Sequence, residues 1–511
     1  MATYYFCNGG VDNNWGTAGN WGVASGTPGG AAVPTSADNA IFDANSPNCT
    51  VNTSTRVCLT LNFTGTGAGV YANTITMNQQ ITVSGSITLS ASMGIAGSGQ
   101  LAVNVSSTLT SNGKTWPNGL NLAGSSPTHL FADNWTVGGT VTHNATGSPT
   151  VNGSGGVRTL TCNGSITITT SMTCGGNLNV TMGGTGTFSG AGTLTMNGTR
   201  TFDINSSGTV TFSGTCSLRG GTIKYTAGSV TVTGSTLSVA ASTTFNCSGM
   251  NWNSVTLAGT SLTHTLTSDM NLLGGLTLSG TTSTILSGAF NWNVTGGVNN
   301  SGNTNVVSGT STIVMIGTGT LQTSGTSAEF NCNITLNTAG TITLGTTITF
   351  NTGVFTFTSG TIAPGSGTFT MDAATTFNFN TTGFAFNNLT LNGNATFQGT
   401  NGFTVNGTFR SIATNAAYTH NFKNGNTYNL NGTVIIYGTP SFGITVKSQS
   451  AGNQTSIVLS LSSAQTISFV TATDVDSSLG QTIFDYSGTI NNSLNWVSFN
   501  KPPVRGSASA M

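Results

Sequence analysis

Apolar residues in this chain of 511 residues recur in pairs whose members lie two positions apart. Between Gly208 and Gly249 six such pairs follow one another at steps of six to eight residues, with small or turn-forming residues at the joints. Positions i and i+2 share one face of a β-strand, whereas a helix would need spacings of three or four residues. The pattern therefore predicts short strands that are separated by corners. The six pairs are Val210/Phe212, Cys216/Leu218, Ile223/Tyr225, Val230/Val232, Leu237/Val239 and Phe245/Cys247.

The short, regular joints predict how the strands are connected. They leave no room for helical crossovers, so each strand must turn a corner and stack on the previous lap, as in a parallel β-solenoid. Three strand-and-corner units give a lap of roughly 21 residues, and the chain would hold on the order of 20 to 24 laps in a rod about 100 Å long. A series of β-sandwiches with hairpin turns is the alternative. We predict an all-β protein that forms an elongated parallel β-solenoid (β-helix).

The strand rhythm divides the chain into four predicted segments. Residues 1–48 lack the rhythm and are predicted to cap the first lap, because an open solenoid end exposes apolar side chains and unpaired strand edges. Residues 49–436 are predicted to form the solenoid repeats. Longer apolar strands in residues 437–500 predict a distinct β-rich C-terminal capping module, and residues 501–511 are predicted to be a flexible tail.

A longer repeat is superimposed on the strand rhythm. Residues 118–129 read NGLNLAGSSPTH, and 135 positions further on residues 253–264 read NSVTLAGTSLTH. A weaker third copy, NNLTLNGNATF, occupies residues 387–397. The simplest history is that several laps were duplicated as a block, as in other repeat proteins.

Each of the first two copies ends on a histidine that an aspartate follows. His129 with Asp133, and His264 with Asp269, are candidates for acid/base pairs or metal ligands. Duplication favours a hydrogen-bonded corner histidine in each copy, because a catalytic site seldom needs copying along a rod. We therefore expect both histidines to be structural.

Charged residues are scarce. The chain has eleven Lys or Arg, eleven Asp or Glu and a net charge of zero, so 4% of its residues are charged, against about 25% in typical domains. The 26 phenylalanines and the alternation of apolar with hydroxyl residues nevertheless indicate a folded protein. Zero net charge argues against a nucleic-acid partner, and the chain lacks the long apolar run that would predict membrane insertion. Solubility must come from outward Asn, Thr, Ser and Gly, whose side chains can form ladders between laps.

The first residues, MATYYFCNGG, have neither the basic start nor the apolar core of a secretory signal peptide. A surface with so few charges offers proteases few sites and responds little to salt or pH, which suits a protein that works outside a cell. We therefore expect synthesis in the cytoplasm and an extracellular destination that is reached without a signal peptide.

The eight cysteines include no C-x-x-C pair. Cys216 and Cys247 fall at inward positions of the apolar pairs, which predicts small buried side chains in a reduced compartment. A disulfide between Cys49 and Cys58 is the one local pairing that remains as an alternative. We expect no cofactor.

Three acids near the C-terminus are the candidate site residues: Asp474, Asp476 and Asp485. Asp474 and Asp476 are two positions apart, so on a strand their side chains would point to the same face. Such a pair can bind Ca²⁺ or serve as the paired carboxylates of a hydrolase. A polar turn before Ser477 explains the same residues without chemistry, and we favour it together with a non-enzymatic protein.

The N-terminal segment contains two tryptophans in the sequence NNWGTAGNWG, Trp15 and Trp21. Bulky indole rings and a glycine-rich loop are suited to cover the open end of a solenoid. The alternative is that Trp15 and Trp21 form an attachment surface for another protein.

The same segment resembles the opening of β-helical surface proteins. The order N-W, P-T-S-A-D and A-I-F-D, carried by Asn20-Trp21, Pro34 to Asp38 and Ala40 to Asp43, is similar to that of autotransporter passenger domains and of fibre or spike proteins of tailed bacteriophages. The expected lack of a signal peptide and of membrane-barrel strands at the C-terminus departs from the autotransporters. The resemblance therefore implies a virion protein that folds in the host cytoplasm, is released by lysis and is a homotrimer, as such fibres usually are.

These observations together predict a non-enzymatic structural protein of a phage virion. It would be a fibre or spike that projects from the particle, contacts other virion proteins and binds host surface polysaccharide through Asn, Thr and Ser on its outer faces. Many weak contacts would add through multivalency. Three alternatives remain open: a capsid-decorating or extracellular filament protein without a ligand, a polysaccharide depolymerase, and a secreted bacterial adhesin.

Overall fold

The computed structural model of the chain describes residues 1–9 and 12–499. These residues form β-strands almost throughout, and their helical content is one 3-10 turn, Ala18–Asn20. Strands pair in parallel from lap to lap, which makes the fold a parallel β-solenoid of about 21 turns. The predicted all-β solenoid is confirmed. The predicted flexible tail, residues 501–511, lies outside the described residues.

The chain divides into two compact units, Met1–Asn253 and Ser254–Met511. The boundary follows the first residue of the second copy of the internal repeat, and the rest of that copy belongs to the second unit. The two copies therefore lie in different units, and each begins with the same succession of two strands. The equivalent pairs are Leu120–Leu122 with Thr128–Phe131, and Ser254–Gly259 with Leu262–Leu266.

The first unit begins with an antiparallel cap. Thr3–Phe6 pairs antiparallel with Trp21–Ala24, and Trp21–Ala24 pairs antiparallel with Thr27–Gly30. Thr3–Phe6 also pairs in parallel with Asn39–Ile41, the first strand of the stacked laps. Aromatic rings fill the space behind the cap and are all fully buried. They are Phe6, Trp15, Trp21, Phe42, Phe63 and Tyr71.

Behind this cap the laps of the first unit stack in register. Leu120 pairs with Val141 of the next lap, and Val141 in turn pairs with Ile166 of the lap after that. Inward apolar side chains alternate with outward polar ones, because successive residues of a strand point to opposite faces. The strands of one face include Arg158–Cys162, Leu178–Met182, Thr201–Phe212, Thr222–Thr231 and Thr243–Asn246.

In the stretch with the clearest sequence rhythm, ten of the twelve paired apolar residues are buried as predicted. The exceptions, Tyr225 and Val230, are half-buried. Both belong to Thr222–Thr231, a strand that continues through a corner where the pattern predicted a turn. Its register with Thr201–Phe212 shifts there, so bulges bend the sheet without ending it. The Tyr225 hydroxyl donates to the carbonyl of Gly228 across the bend, at 2.6 Å.

The laps of the second unit differ in length, but their strands keep the same pairing. Phe409 pairs with Val434, and Val434 pairs with Gln465 across a longer lap. Parallel pairing continues to the last described strand, Trp496–Phe499, which lies against Ile483–Tyr486. The solenoid pairing thus extends through the described part of the segment that was predicted as a C-terminal module.

One corner of the second unit is bounded by two sheets. The strands that enter the corner are Thr375–Phe379, Ala395–Gly399, Tyr418–Phe422, Ile444–Ser448, Val470–Thr473 and Thr489–Asn491. The strands that leave it are Ala385–Phe386, Thr404–Val405, Thr427–Leu430, Thr455–Leu459 and Val475–Asp476. The loops between them lie one above another at successive laps.

Stacked aromatic rings fill the interior beside this corner. Phe377 is fully buried, and its ring centroid lies 5.5 Å from Phe355, 5.8 Å from Phe379 and 5.6 Å from Phe397. Such packing excludes water and positions the corner loops, because each ring is held by rings in its own lap and in the laps on either side.

The outward positions form polar columns. Thr419, Thr445, Thr471 and Thr489 are aligned across four laps. In some columns the side chains bond directly between laps, as where the Asn293 side-chain amide donates to Oδ1 of Asn271 at 2.9 Å. Hydroxyl and amide ladders of this kind were expected from the composition.

Candidate functional site

The structure separates Asp474 from Asp476. Asp474 lies at a bend between two strands and has a positive φ of 56°, whereas Asp476 belongs to the following strand, Val475–Asp476. The alternative, in which both carboxylates lie on one strand and point to one face, does not hold, because the chain turns the corner between them. The Asp476 carboxylate accepts a hydrogen bond from the Ser478 N–H at 2.9 Å, as in the polar turn that the sequence favoured.

Asp474 connects the loops of neighbouring laps. Its carboxylate accepts hydrogen bonds from the side-chain amide of Asn492 and from the backbone N–H of Gly452, the latter at 2.9 Å. These bonds, that from Asn492 above all, lower the pKa of Asp474, whose residue surface is only 5% exposed. The carboxylate is thus an ionised brace between corner loops.

Asp485 lies apart from this brace, inside the last described laps. Its side chain is fully buried, and burial raises the pKa to about 6, although the Val470 backbone and the Trp496 indole act in the opposite direction. Gly488 packs directly on the carboxylate, since a Cβ at that position would lie 1.8 Å from Oδ2. Among the described residues no group of three or more His, Cys, Asp or Glu is arranged to hold a metal ion.

Trp15 and Trp21 are part of the core of the cap. Both side chains are fully buried, their ring centroids are 4.9 Å apart, and the Trp21 Nε1–H donates to the Trp15 carbonyl at 2.7 Å. The rings cannot form an attachment surface, because their π-faces are covered by neighbouring aromatic residues. Attachment through the rest of the N-terminal segment stays a prediction.

The repeated histidines point inward from strands, and the expectation of corner histidines is wrong. His129 and His264 are fully buried, and burial lowers the pKa of each to about 4. His129 Nδ1 lies 2.9 Å from the Ser107 hydroxyl. The Asp133 carboxylate instead accepts hydrogen bonds from the N–H groups of Ser111 and Asn112, at 2.8 and 2.6 Å.

None of the eight cysteines, all of which lie among the described residues, forms a disulfide, and those at the positions of the alternative disulfide, Cys49 and Cys58, are both fully buried. Burial raises the pKa of Cys174, Cys247 and Cys332 to about 12, so these thiols are unreactive core residues. The predicted role as small buried side chains is confirmed for every cysteine except Cys7, which is half-buried.

Two adjoining grooves open along the corner of the second unit. Their volumes are about 360 and 550 Å³, and Gly425 lines both. The lining of the first groove comes from residues 382–384, 400–404, 425–427 and 429, and that of the second from residues 424–425, 452–454, 492 and 494.

Hydrogen bonds between laps hold the groove loops in place. The N–H of Gly425 donates to the Gln454 carbonyl at 3.0 Å, and the Gln454 side-chain amide donates to the Asn492 carbonyl, also at 3.0 Å. The Ser450 hydroxyl donates to the Asn424 side-chain oxygen at 3.2 Å. A ligand would therefore meet loops that are already ordered, which reduces the entropic cost of binding.

The groove lining consists of amide, hydroxyl and backbone groups. Thr382, Thr400, Thr427 and Asn453 are exposed there. Side-chain amides and hydroxyls can both donate and accept hydrogen bonds, whereas a carboxylate only accepts. Leu494, which is 50% exposed, adds an apolar surface at the end of the second groove. This lining matches a neutral ligand that has many hydroxyl groups.

Sequence reasoning missed this site, although a signal for it exists. Turn-forming pairs of Gly with Asn or Thr recur at the corner in successive laps: Thr382-Gly383, Asn401-Gly402, Asn424-Gly425 and Gly452-Asn453. Composition hid the signal, because the same residue types also fill the other corners.

In the described part of the chain no helix has the length and apolar character needed to cross a bilayer. Comparison of the chain with protein-family models, with curated proteins and with solved structures gave no match.

Proposed function

We propose that the chain is a non-enzymatic structural protein of a phage virion, a fibre or spike that binds host surface polysaccharide. The observation that carries the proposal is that the interior side chains are apolar, whereas the outer faces carry polar side chains. Stacked apolar side chains fill the interior of each unit, while hydroxyl and amide columns and the two grooves face the solvent. Polysaccharides present hydroxyl groups at regular intervals, which ordered ladders of this kind can engage through many weak contacts.

The resemblance of the N-terminal segment to phage fibres supports the choice of a virion over a bacterial surface. In such a particle the cap would face other virion proteins and the protein would assemble as a homotrimer. Its location would be the virion, outside the cell, after synthesis in the host cytoplasm.

Binding is tested by presenting the purified protein to an array of envelope and capsule polysaccharides from candidate hosts. The proposal expects binding that increases with polymer length and no release of new reducing ends. Release of reducing ends that Asp474→Asn or Asp476→Asn abolishes would instead establish a depolymerase. Lack of binding, together with labelled antibody spread over the capsid in particle images, would establish a decorating protein.

Assembly is tested separately by light scattering of the full-length protein, whose chain mass is 51.6 kDa. Three chains per particle are expected. A monomer would refute the proposed trimer and would leave the proposal of polysaccharide binding unchanged. Localisation to secretion machinery of a bacterium, in place of virions, would favour a secreted adhesin.

A further inference from the structure

Three glycines shape the corner that holds the grooves. Gly383, Gly425 and Gly452 have positive φ values of 86°, 76° and 77°, and at each of them a Cβ would meet no atom within 4 Å. A side chain at these positions would therefore stand in open space at the grooves. Glycine leaves this space clear, and it also adopts the left-handed backbone without strain.

The loops are spaced at the solenoid repeat. Strand pairing leads from Thr375–Phe379 to Thr489–Asn491 in five lap steps. Neighbouring strands lie about 4.8 Å apart, so the corner from residue 382 to Asn492 extends roughly 24 Å. The step is comparable with the length of one hexose unit in an extended polysaccharide.

The charges around the corner favour an uncharged ligand. The described lining residues of both grooves carry no charged side chain. Asp474 is buried and already accepts hydrogen bonds from two neighbouring laps. Lys423, next to the lining residue Asn424 in sequence, is a nearby cation whose contribution can be tested.

We infer that the two grooves form a single site for an extended strand of neutral polysaccharide, which follows the corner from lap to lap and crosses Gly425 between the two grooves. The inference rests on the proposed function and adds the place, the direction and the charge of the ligand. A short saccharide would occupy one groove only. A longer strand would use both, so affinity would rise steeply once the strand is long enough to cross Gly425.

The test uses full-length protein and ladders of malto-, cello- and manno-oligosaccharides of one to eight units, with uronic-acid oligosaccharides of the same lengths. Titration calorimetry compares wild type with Gly425→Asn, because asparagine tolerates a positive φ and its side chain would obstruct the crossing. Gly113→Asn is the matched control. Gly113 also has a φ of 76° and open space around it, and it lies in the first unit.

We expect Gly425→Asn to weaken binding of the longest bound neutral oligosaccharide at least about tenfold, and that of a mono- or disaccharide by less than about threefold. Gly113→Asn should bind as wild type does. Circular dichroism checks that each variant is folded, and Gly452→Asn replaces Gly425→Asn if the latter does not fold.

Two results overturn this inference and leave the proposed function in place. One is polysaccharide binding that Gly425→Asn does not change. The other is preferred binding of uronic-acid oligosaccharides that Lys423→Ala abolishes. Failure of the wild type to bind any neutral oligosaccharide in the ladders also refutes the inference, and failure on the host polysaccharide array as well refutes the proposed function.

Discussion

Acid should destabilise the second unit through His420. The imidazole is fully buried, and its Nε2 lies 2.8 Å from the Ser411 hydroxyl. Burial lowers the pKa of His420 from its ordinary value of 6.5 to about 3. The neutral ring is compatible with the core, whereas a charged ring would lose its hydration without gaining a counterion.

The direction follows from proton linkage. Below pH 6.5 the unfolded chain binds a proton at His420 and the folded chain does not. The contribution of the neutral His420 ring to the free energy of unfolding is therefore complete above that pH and is lost as the pH falls toward 3. At pH 4 the pH is about 2.5 units below the pKa of His420 in the unfolded chain and still above its pKa in the folded chain. Each of these units corresponds to about 1.4 kcal/mol. The free energy of unfolding should therefore be lower by about 3 kcal/mol at pH 4 than at pH 7 from this residue alone.

Urea unfolding between pH 4 and 7, monitored by circular dichroism, measures the effect. The comparison is between wild type and the double variant Ser411→Ala/His420→Leu, which removes the titrating ring together with the hydroxyl that would be left without its partner. The variant should lose about 3 kcal/mol less than wild type over this range, while both keep the contribution of His264. An equal loss in the two proteins would refute the assignment of the acid sensitivity to His420.

Three further predictions concern other parts of the fold. Asp485→Asn should abolish a pH dependence of the opposite sign. The raised pKa of Asp485 stabilises the folded state below pH 3.8, and on the order of 3 kcal/mol of the free energy of unfolding is lost as the pH rises through about 6. Urea titrations in which wild type and variant respond equally to pH would contradict this. Phe377→Ala should cost about 3–5 kcal/mol in chemical unfolding, whereas Phe290→Ala, at a side chain that is 39% exposed, should cost far less; similar costs would show that the stacked rings do not dominate the core. Asp474→Ala should speed hydrogen exchange at the Gly452 N–H, since it removes the acceptor of that bond; unchanged exchange would mean that the loop does not depend on the brace.

The fold could be predicted from the sequence because a solenoid is governed by local rules. Apolar residues two positions apart require strands, and short connections between strands require that the laps stack. Each lap therefore repeats the strands and corners of the previous lap. Pairs such as Val210/Phe212 and Leu237/Val239 are buried accordingly. The same local reasoning failed at Tyr225, where a bulged strand passes the corner without ending.

The candidate residues were less predictable because their roles depend on neighbours that are about one lap away in sequence. Nothing in the sequence around Asp474 indicates that Gly452 and Asn492 are its hydrogen-bond partners. The sequence around Trp15 and Trp21 suits both a covered core and an exposed surface, and only the positions of the neighbouring aromatic rings decide between the two. A sequence pattern states which residues face inward, but not which outward loops converge.

By itself the sequence determined the class of the protein: its β structure, its solenoid repeat, its zero net charge and its polar exterior. These follow from composition and from short-range periodicity, which are visible along the chain. Only the tertiary structure decided where a ligand can bind. The grooves around Gly425 exist because loops from successive laps stack at one corner, and stacking in space brings together residues that the sequence keeps a full lap apart.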